Sequence, residues 1–221
     1  MARTPEGPPP PPAVQKLRVR YAKRGRLRFS STRDFQRALE RALRRAAVPM
    51  AFSAGFHPHP KISYANAAPT GTASEAEYVE ISVTHRVDPD SLREALDEAL
   101  PVGLDVLQVV EAAPGALADR LQASDWVMEF RGMPVQPLED AARALLQREE
   151  VQVTRMMKSG PRTFDVRSAV VSTGDESSSE CLRTSSCRSR SPCPGSIPSS
   201  STNRARAAWK AASASACRPQ R

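Results

Sequence analysis

Lys16-Leu17-Arg18-Val19-Arg20-Tyr21-Ala22-Lys23, followed after Gly25 by Arg26-Leu27-Arg28-Phe29, decides how the rest of the chain is read. Leu17, Val19 and Tyr21 alternate with Arg18 and Arg20, a period of two that predicts a strand with one buried face and one face of arginines. The alternation resumes with Leu27 and Phe29 inward and Arg26 and Arg28 outward, so a positively charged sheet surface is expected. Ser31 or Thr32 then caps a helix, with Asp34 in its first turn and Phe35, Leu39, Ala42, Leu43 and Ala46 forming an apolar stripe. Arg33, Arg37, Arg41 and Arg44 fall on the opposite side. At roughly 100° per residue they lie within about 80° of one another and make a single exposed ridge. Pro49 ends the helix.

Working outward, Tyr78 to Val83 alternates like a strand. Asp88 and Pro89 sit as N-cap and first helical residue, and Leu92, Ala95, Leu96, Ala99 and Leu100 make the next stripe. Pro101 and Gly103 stop it, and Leu104 to Val110 reads as a strand. With Met50 to Ser53 or Lys61 to Tyr64 as the second strand, the order is β-α-β-β-α-β, which is ferredoxin-like. After a connection over Pro114 to Gln122 the order begins again. Asp125 to Arg131 reads as a strand, and Pro137 opens a helix with Leu138, Ala141, Ala142 and Leu145 inward. Val151 to Met157 and Arg162 to Val171 flank a Ser159-Gly160 turn.

The expected fold class is therefore α+β, with two ferredoxin-like β-α-β-β units in tandem. The first covers residues 16–112, and the second, incomplete, covers 123–171. Residues 1–15, with Pro5 and the run Pro8 to Pro12, read as a disordered leader. Residues 172–221 read as a disordered tail holding fourteen serines and all four cysteines, Cys181, Cys187, Cys193 and Cys217. The cysteine spacing matches neither a zinc ribbon nor the C-x-x-x-C-x-x-C of a radical enzyme, so no metal or cofactor is expected. A helix and a strand are due where this tail begins, and its Arg, Ala, Pro and Ser composition is what a GC-rich gene yields in a shifted frame.

Charge narrows the function classes. Lys16 to Arg45 holds twelve Lys or Arg against two acids, a local net of +10 that exceeds the +8 of the whole chain. Such a concentration points to a polyanionic ligand, an acidic protein surface, or a solvated face. No run approaches the ~18 apolar residues of a membrane span, so a cytoplasmic protein is expected.

The most distinctive loop is Phe52-Ser-Ala-Gly55-Phe-His-Pro-His-Pro-Lys61, where His57 and His59 each precede a proline that biases them to extended backbone. Three readings stay open: a turn shaped by Gly55, Pro58 and Pro60; an RNA contact with Lys61 on phosphate and Phe56, His57 or His59 stacking on bases; or a metal or acid-base site, for which Glu75, Glu77 and His85 have no recognisable ligand spacing. The turn around Lys158, Arg162 and Arg167, with Asp165, reads as a solvated hairpin tip or a second phosphate contact.

Five blocks, in order, carry a family resemblance: Lys16 to Lys23, Phe29-Ser-Ser-Thr-Arg-Asp34, Gly55 to Lys61, Pro69-Thr-Gly71 with Glu77, and Thr163-Phe-Asp-Val-Arg167. Together, over about residues 15 to 171, they resemble the radical SAM-linked protein family, whose members are found fused to, or encoded beside, radical S-adenosylmethionine proteins. The resemblance implies a radical SAM protein as partner and names no reaction. Having no iron-sulfur motif, this chain would leave cluster and S-adenosylmethionine to that partner.

The combined expectation is an RNA-binding accessory module for modification or processing by a partner enzyme. Arg18, Arg20, Lys23, Arg26, Arg28, Arg33, Arg37, Arg41, His57, His59 and Lys61 would be its nucleic-acid contacts. The alternatives are an adaptor whose arginine ridge docks a radical SAM enzyme or a ribonuclease, and a metal-independent RNA-processing enzyme using His57 or His59 as base.

Overall fold

The alternating stretch is a strand, β1 (Gln15–Lys23), that sends Leu17, Val19 and Tyr21 into the core. This is seen in a computed structural model that describes residues 9–65, 67–130, 132, 134–175 and 181–187. They form two compact units, divided between Arg120 and Leu121.

In the first unit β1 is followed by a 3-10 turn (Gly25–Phe29), α1 (Thr32–Arg45), β2 (Ile62–Tyr64), β3 (Ser74–Val83), α2 (Pro89–Ala99), β4 (Val106–Glu111) and a short α3 (Leu117–Arg120). The sheet runs β2-β3-β1-β4 with every neighbouring pair antiparallel. Each β-α-β connection is thus split by a strand from the other. The apolar sides of α1 (Phe35, Leu39, Ala42, Leu43) and α2 (Leu92, Leu96, Ala99) close over one sheet face, in one cluster with Leu17, Val19, Val79, Ile81 and Val109. Tyr21 stacks on Phe35 with centroids 4.1 Å apart, and Phe35 meets Tyr64 edge-on at 6.4 Å. Such pairs add about 0.5–1.5 kcal/mol each beyond the area they bury.

The helix starts lie where side-chain chemistry predicts them. Ser31 Oγ accepts the Asp34 N–H while the Asp34 carboxylate accepts the Ser31 N–H, a reciprocal capping box. Asp88 accepts the Ser91 N–H at 2.9 Å, and Pro89 opens α2. Beyond α2, Gly103 has φ +96°, and a Cβ there would stand 3.0 Å from the Arg24 carbonyl oxygen. Arg24 N–H donates to the Gly103 oxygen at 2.8 Å, so this glycine lets the α2–β4 link close against the end of β1.

One expectation for this unit needs correction. Residues 26–29 are a turn, with Gly25 at φ +53°: Leu27 packs against the core and Phe29 is 59% exposed. Four alternating residues fit one 3-10 turn with one inward side chain as well as they fit a strand. Of the two candidates for the second strand, Lys61 to Tyr64 supplies it, as Ile62–Tyr64, while Met50 and Phe52 make isolated bridges to Val83 and Pro60.

The second unit comprises β5 (Ala123–Glu129), α4 (Val135–Gln147), β6 (Gln152–Met157), β7 (Gly160–Asp165), a 3-10 turn (Arg167–Ala169), β8 (Val170–Asp175) and β9 (Cys181–Cys187). Its sheet runs β5-β9-β8, and β6 and β7 pair only with each other among the described strands. The expected β-α-β-β order is present, but these pairings do not repeat those of the first unit. Leu138 and Ala142 are buried whereas Ala141 is exposed. Residues 172–175 and 181–187, expected in a disordered tail, are strand; serine and cysteine carry no helix or strand period, so composition hid them. The leader through Pro8, the rest of the tail, Cys193 and Cys217 lie outside the described residues.

The Thr163 to Arg167 block holds this unit's connections. The Asp165 carboxylate accepts backbone N–H groups from Val151, Arg167 and Ser168 at 2.8, 2.9 and 3.1 Å. These donors, Val151 first, hold its pKa down at about 2 against an ordinary 3.8. Because the folded value is depressed, the stabilisation is complete above the ordinary carboxylate pKa and drains away as pH falls from 3.8 toward about 2. Asp165→Asn is expected to flatten that acid limb of the stability curve; an unchanged profile from circular dichroism would show the carboxylate to be idle. Arg167 donates to the carbonyls of Leu146, Arg148 and Val170 at 3.0, 3.1 and 2.9 Å, tying the end of α4 to the start of β8. It is therefore not available to a phosphate.

Candidate nucleic-acid interface

The eleven cations and histidines expected to contact nucleic acid separate into those the fold uses and those it leaves in solvent. Arg18 belongs to the first group and is a correction: it does face away from the helices, yet it is only 2% exposed. Its Nε donates to Glu80 Oε2 at 2.8 Å, across the β1–β3 register, and its Nη2 donates to the carbonyls of Ala113 and Gly115 at 3.0 and 2.7 Å. The chain beyond β4 thus folds over that part of the second face, which strand alternation cannot foretell. Arg20 donates to the Glu75 carbonyl at 2.8 Å, and Lys23, 6% exposed, donates to the Ser30 carbonyl at 3.2 Å. Neighbouring Arg24 pairs with Glu75 and with Asp105. The expected cationic sheet surface is largely consumed by these contacts.

The helix ridge is different. Arg33, Arg37, Arg41 and Arg44 are exposed, and none has a carboxylate within ion-pair distance among the described residues. The acids of α1 are Asp34 and Glu40. Ser31, by its hydroxyl and then its N–H, holds the Asp34 carboxyl below its usual value, with Arg37 and Arg33 adding to the effect. The fifth arginine, Arg45, donates to the Ala99 carbonyl at 3.1 Å and so caps the end of α2. It lines, with Arg41, a small cleft of about 190 Å³ between the helices.

The start of the ridge carries an exposed ring. There the Arg28 guanidinium lies 4.6 Å from the centroid of the Phe29 ring, and Arg26 is exposed beside them. Gly71 N–H donates to the Arg28 carbonyl at 2.7 Å, and a Cβ on Gly71, whose φ is +95°, would stand 3.7 Å from the Phe29 ring. Buried Glu77 accepts the Ala68 N–H. Two of the singled-out blocks, Phe29 to Asp34 and Pro69 to Glu77, therefore meet at this end of the unit, a convergence no spacing in the sequence signals.

The link 46–51 leads from the end of α1 to the loop of His57 and His59. Ser53 N–H donates to the His59 carbonyl at 2.8 Å, the His59 N–H to Ser53 Oγ at 3.0 Å, and Lys61 N–H to the Ala51 carbonyl at 2.7 Å. Phe56, His57, His59 and Lys61 all point into solvent. No group of three His, Cys, Asp or Glu among the described residues is placed to hold a metal.

The buried hydroxyls are packing groups. Burial, then the Glu77 carboxylate and Tyr64, push the Tyr21 hydroxyl far above its ordinary pKa. Burial, then Glu40, raises Tyr64 to about 12. Neither exchanges a proton near neutral pH.

These features define a class, a basic α+β module in which cations without an ion-pair partner among the described residues line one helix. The chain belongs to the family described as uncharacterised proteins conserved in bacteria (DUF2344), whose model matches residues 16–192. The match begins in β1 and extends past β9, beyond the boundary drawn at 172 from composition. No curated protein matches the chain. No helix among the described residues is long and apolar enough to cross a membrane.

Proposed function

We propose that this protein is an RNA-binding accessory module that holds a single-stranded segment by its phosphates along α1 for modification or processing by a partner enzyme. One observation carries the reading: Arg33, Arg37, Arg41 and Arg44 share one exposed helix face with no carboxylate within ion-pair distance among the described residues, while Arg18, Arg20, Lys23 and Arg24 are engaged by the protein's own oxygens. Guanidinium groups left in that state attract a polyanion through release of its counterions. A helix of 14 residues is about 21 Å long, roughly six phosphates of a stacked strand at ~3.4 Å each. Phe29, 59% exposed just before α1, and Phe56, 60% exposed in the loop of His57 and His59, offer rings on which bases can stack.

The same proposal takes a radical SAM protein as the partner, on the strength of the sequence resemblance, and a cytoplasmic location. It also takes the second unit as a diverged ferredoxin-like copy, supported by the shared β-α-β-β order. The test is filter binding of a single-stranded RNA over salt concentrations from roughly 50 to 200 mM. Measurable affinity that falls steeply with salt is expected. Binding too weak to detect at the lowest salt overturns the reading.

A further inference from the structure

The β6–β7 hairpin is built against its own stability. Its register sets Arg155 directly opposite Arg162, and the same face carries Val153 opposite Phe164. Directly paired residues have Cβ atoms about 5 Å apart, and like charges so placed are destabilising. Residues 151–164 contain Lys158 as a third cation and no acid that would offset the pair. No ion pair to Arg155, Lys158 or Arg162 occurs among the described residues. Every residue of β6 is exposed, as is β7 from Pro161 to Phe164. Neither strand has another strand partner among those described, and an isolated two-stranded hairpin is marginal in water. Thr154 and Thr163 share a 2.8 Å hydroxyl bond on the opposite face, so the register is held from that side.

A like-charge pair kept in register toward the exposed end of a hairpin whose one acid, Asp165, sits at the base and is engaged by backbone N–H groups is relieved by an anion that bridges both guanidinium groups. We propose that this hairpin is a second phosphate-binding element, which grips a nucleic-acid backbone between Arg155 and Arg162 with Lys158 on a neighbouring phosphate. Phe164, 40% exposed and one cross-strand pair away from the arginines, provides the base-stacking surface beside them. An RNA strand fits better than an anionic membrane. The turn itself is Lys158-Ser159 followed by Gly160; the exposed Met156 and Met157 flank it, but the hairpin's one aromatic ring, Phe164, lies toward the base beside the arginine pair, where a base can stack and a bilayer would not meet it first.

The proposal deepens the RNA-binding reading and uses a different unit, so the two can fail separately. Arg155→Thr/Arg162→Thr keeps residues suited to strands and removes the repulsion. In the full chain this variant is expected to unfold no earlier than the wild type, and to bind single-stranded RNA about tenfold more weakly at low salt, with the slope of log K against log salt smaller by about 1.4. Unchanged RNA affinity in this variant overturns the hairpin proposal alone. Unchanged affinity on removing the α1 arginines overturns the α1 reading alone. Absence of RNA binding by the wild type overturns both, as does arginine-dependent binding to phosphatidylserine vesicles without any to RNA.

Discussion

Arg18→Ala is expected to destabilise the first unit by about 3–5 kcal/mol, the loss seen when one member of a buried ion pair is removed. The size follows from what is stranded. Glu80 has a side chain only 10% exposed, and its remaining cation, Lys16, is 3.6 Å away with a side chain 60% exposed. The carbonyls of Ala113 and Gly115 lose their donor as well. Since whole domains are stable by about 5–15 kcal/mol, such a variant would sit near the edge of folding. Arg18→Met/Glu80→Leu, which removes both charges and keeps the volume, is expected to recover most of the loss. Urea denaturation of the two variants measures both quantities. A cost under about 1 kcal/mol for Arg18→Ala would mean that the pair behaves as a solvated surface bridge, and the account of the second sheet face would be wrong.

The second large effect concerns binding. Arg33→Glu/Arg37→Glu/Arg41→Glu should leave the fold nearly unchanged, because exposed substitutions away from structural contacts typically move stability by less than about 0.5 kcal/mol each. All three arginines are exposed, and none takes part in the capping box or caps α2 as Arg45 does. RNA affinity, by contrast, should fall by roughly 10²-fold or more at low salt, since three phosphate contacts become three repulsions. Electrophoretic mobility shifts read the affinity and circular dichroism reads the fold. Retained RNA affinity together with loss of a co-purifying protein would favour the adaptor alternative, in which the ridge docks an acidic protein surface.

Much of this molecule is legible from residue types at fixed spacing. Ser31 with Asp34, and Asp88 with Pro89, mark helix starts because their side chains satisfy backbone donors locally. The stripe of Phe35, Leu39, Ala42 and Leu43 identifies the buried side of α1, and hence its arginine side, because a helix has only one period. The outward direction of Arg18 is legible too; its burial is not. A strand pattern tells which face a side chain is on, while the cover over that face comes from residues 113–115, almost a hundred positions away.

Short or weakly patterned segments account for the other misses. Arg26 to Phe29 is too brief for its alternation to separate a strand from a single turn. β9 is built from Cys181, Leu182, Arg183, Thr184, Ser185, Ser186 and Cys187, in which apolar and polar residues do not alternate. Its pairing with β5 and β8 makes it a strand. Of the candidate site, the ridge and the exposed histidine loop were readable. The internal use of Arg20 and Lys23 depends on carbonyls at Glu75 and Ser30 that no motif announces.

The central claim, that α1 holds unneutralised cations which engage phosphates, is tested most directly by the salt dependence of RNA affinity. Log K against log salt would be measured for the wild type and for Arg33→Ala/Arg37→Ala/Arg41→Ala. Three phosphate contacts on a single strand predict a slope shallower by about 2 in the variant. Two parallel lines would contradict the account, because the ridge would then release no counterions on binding.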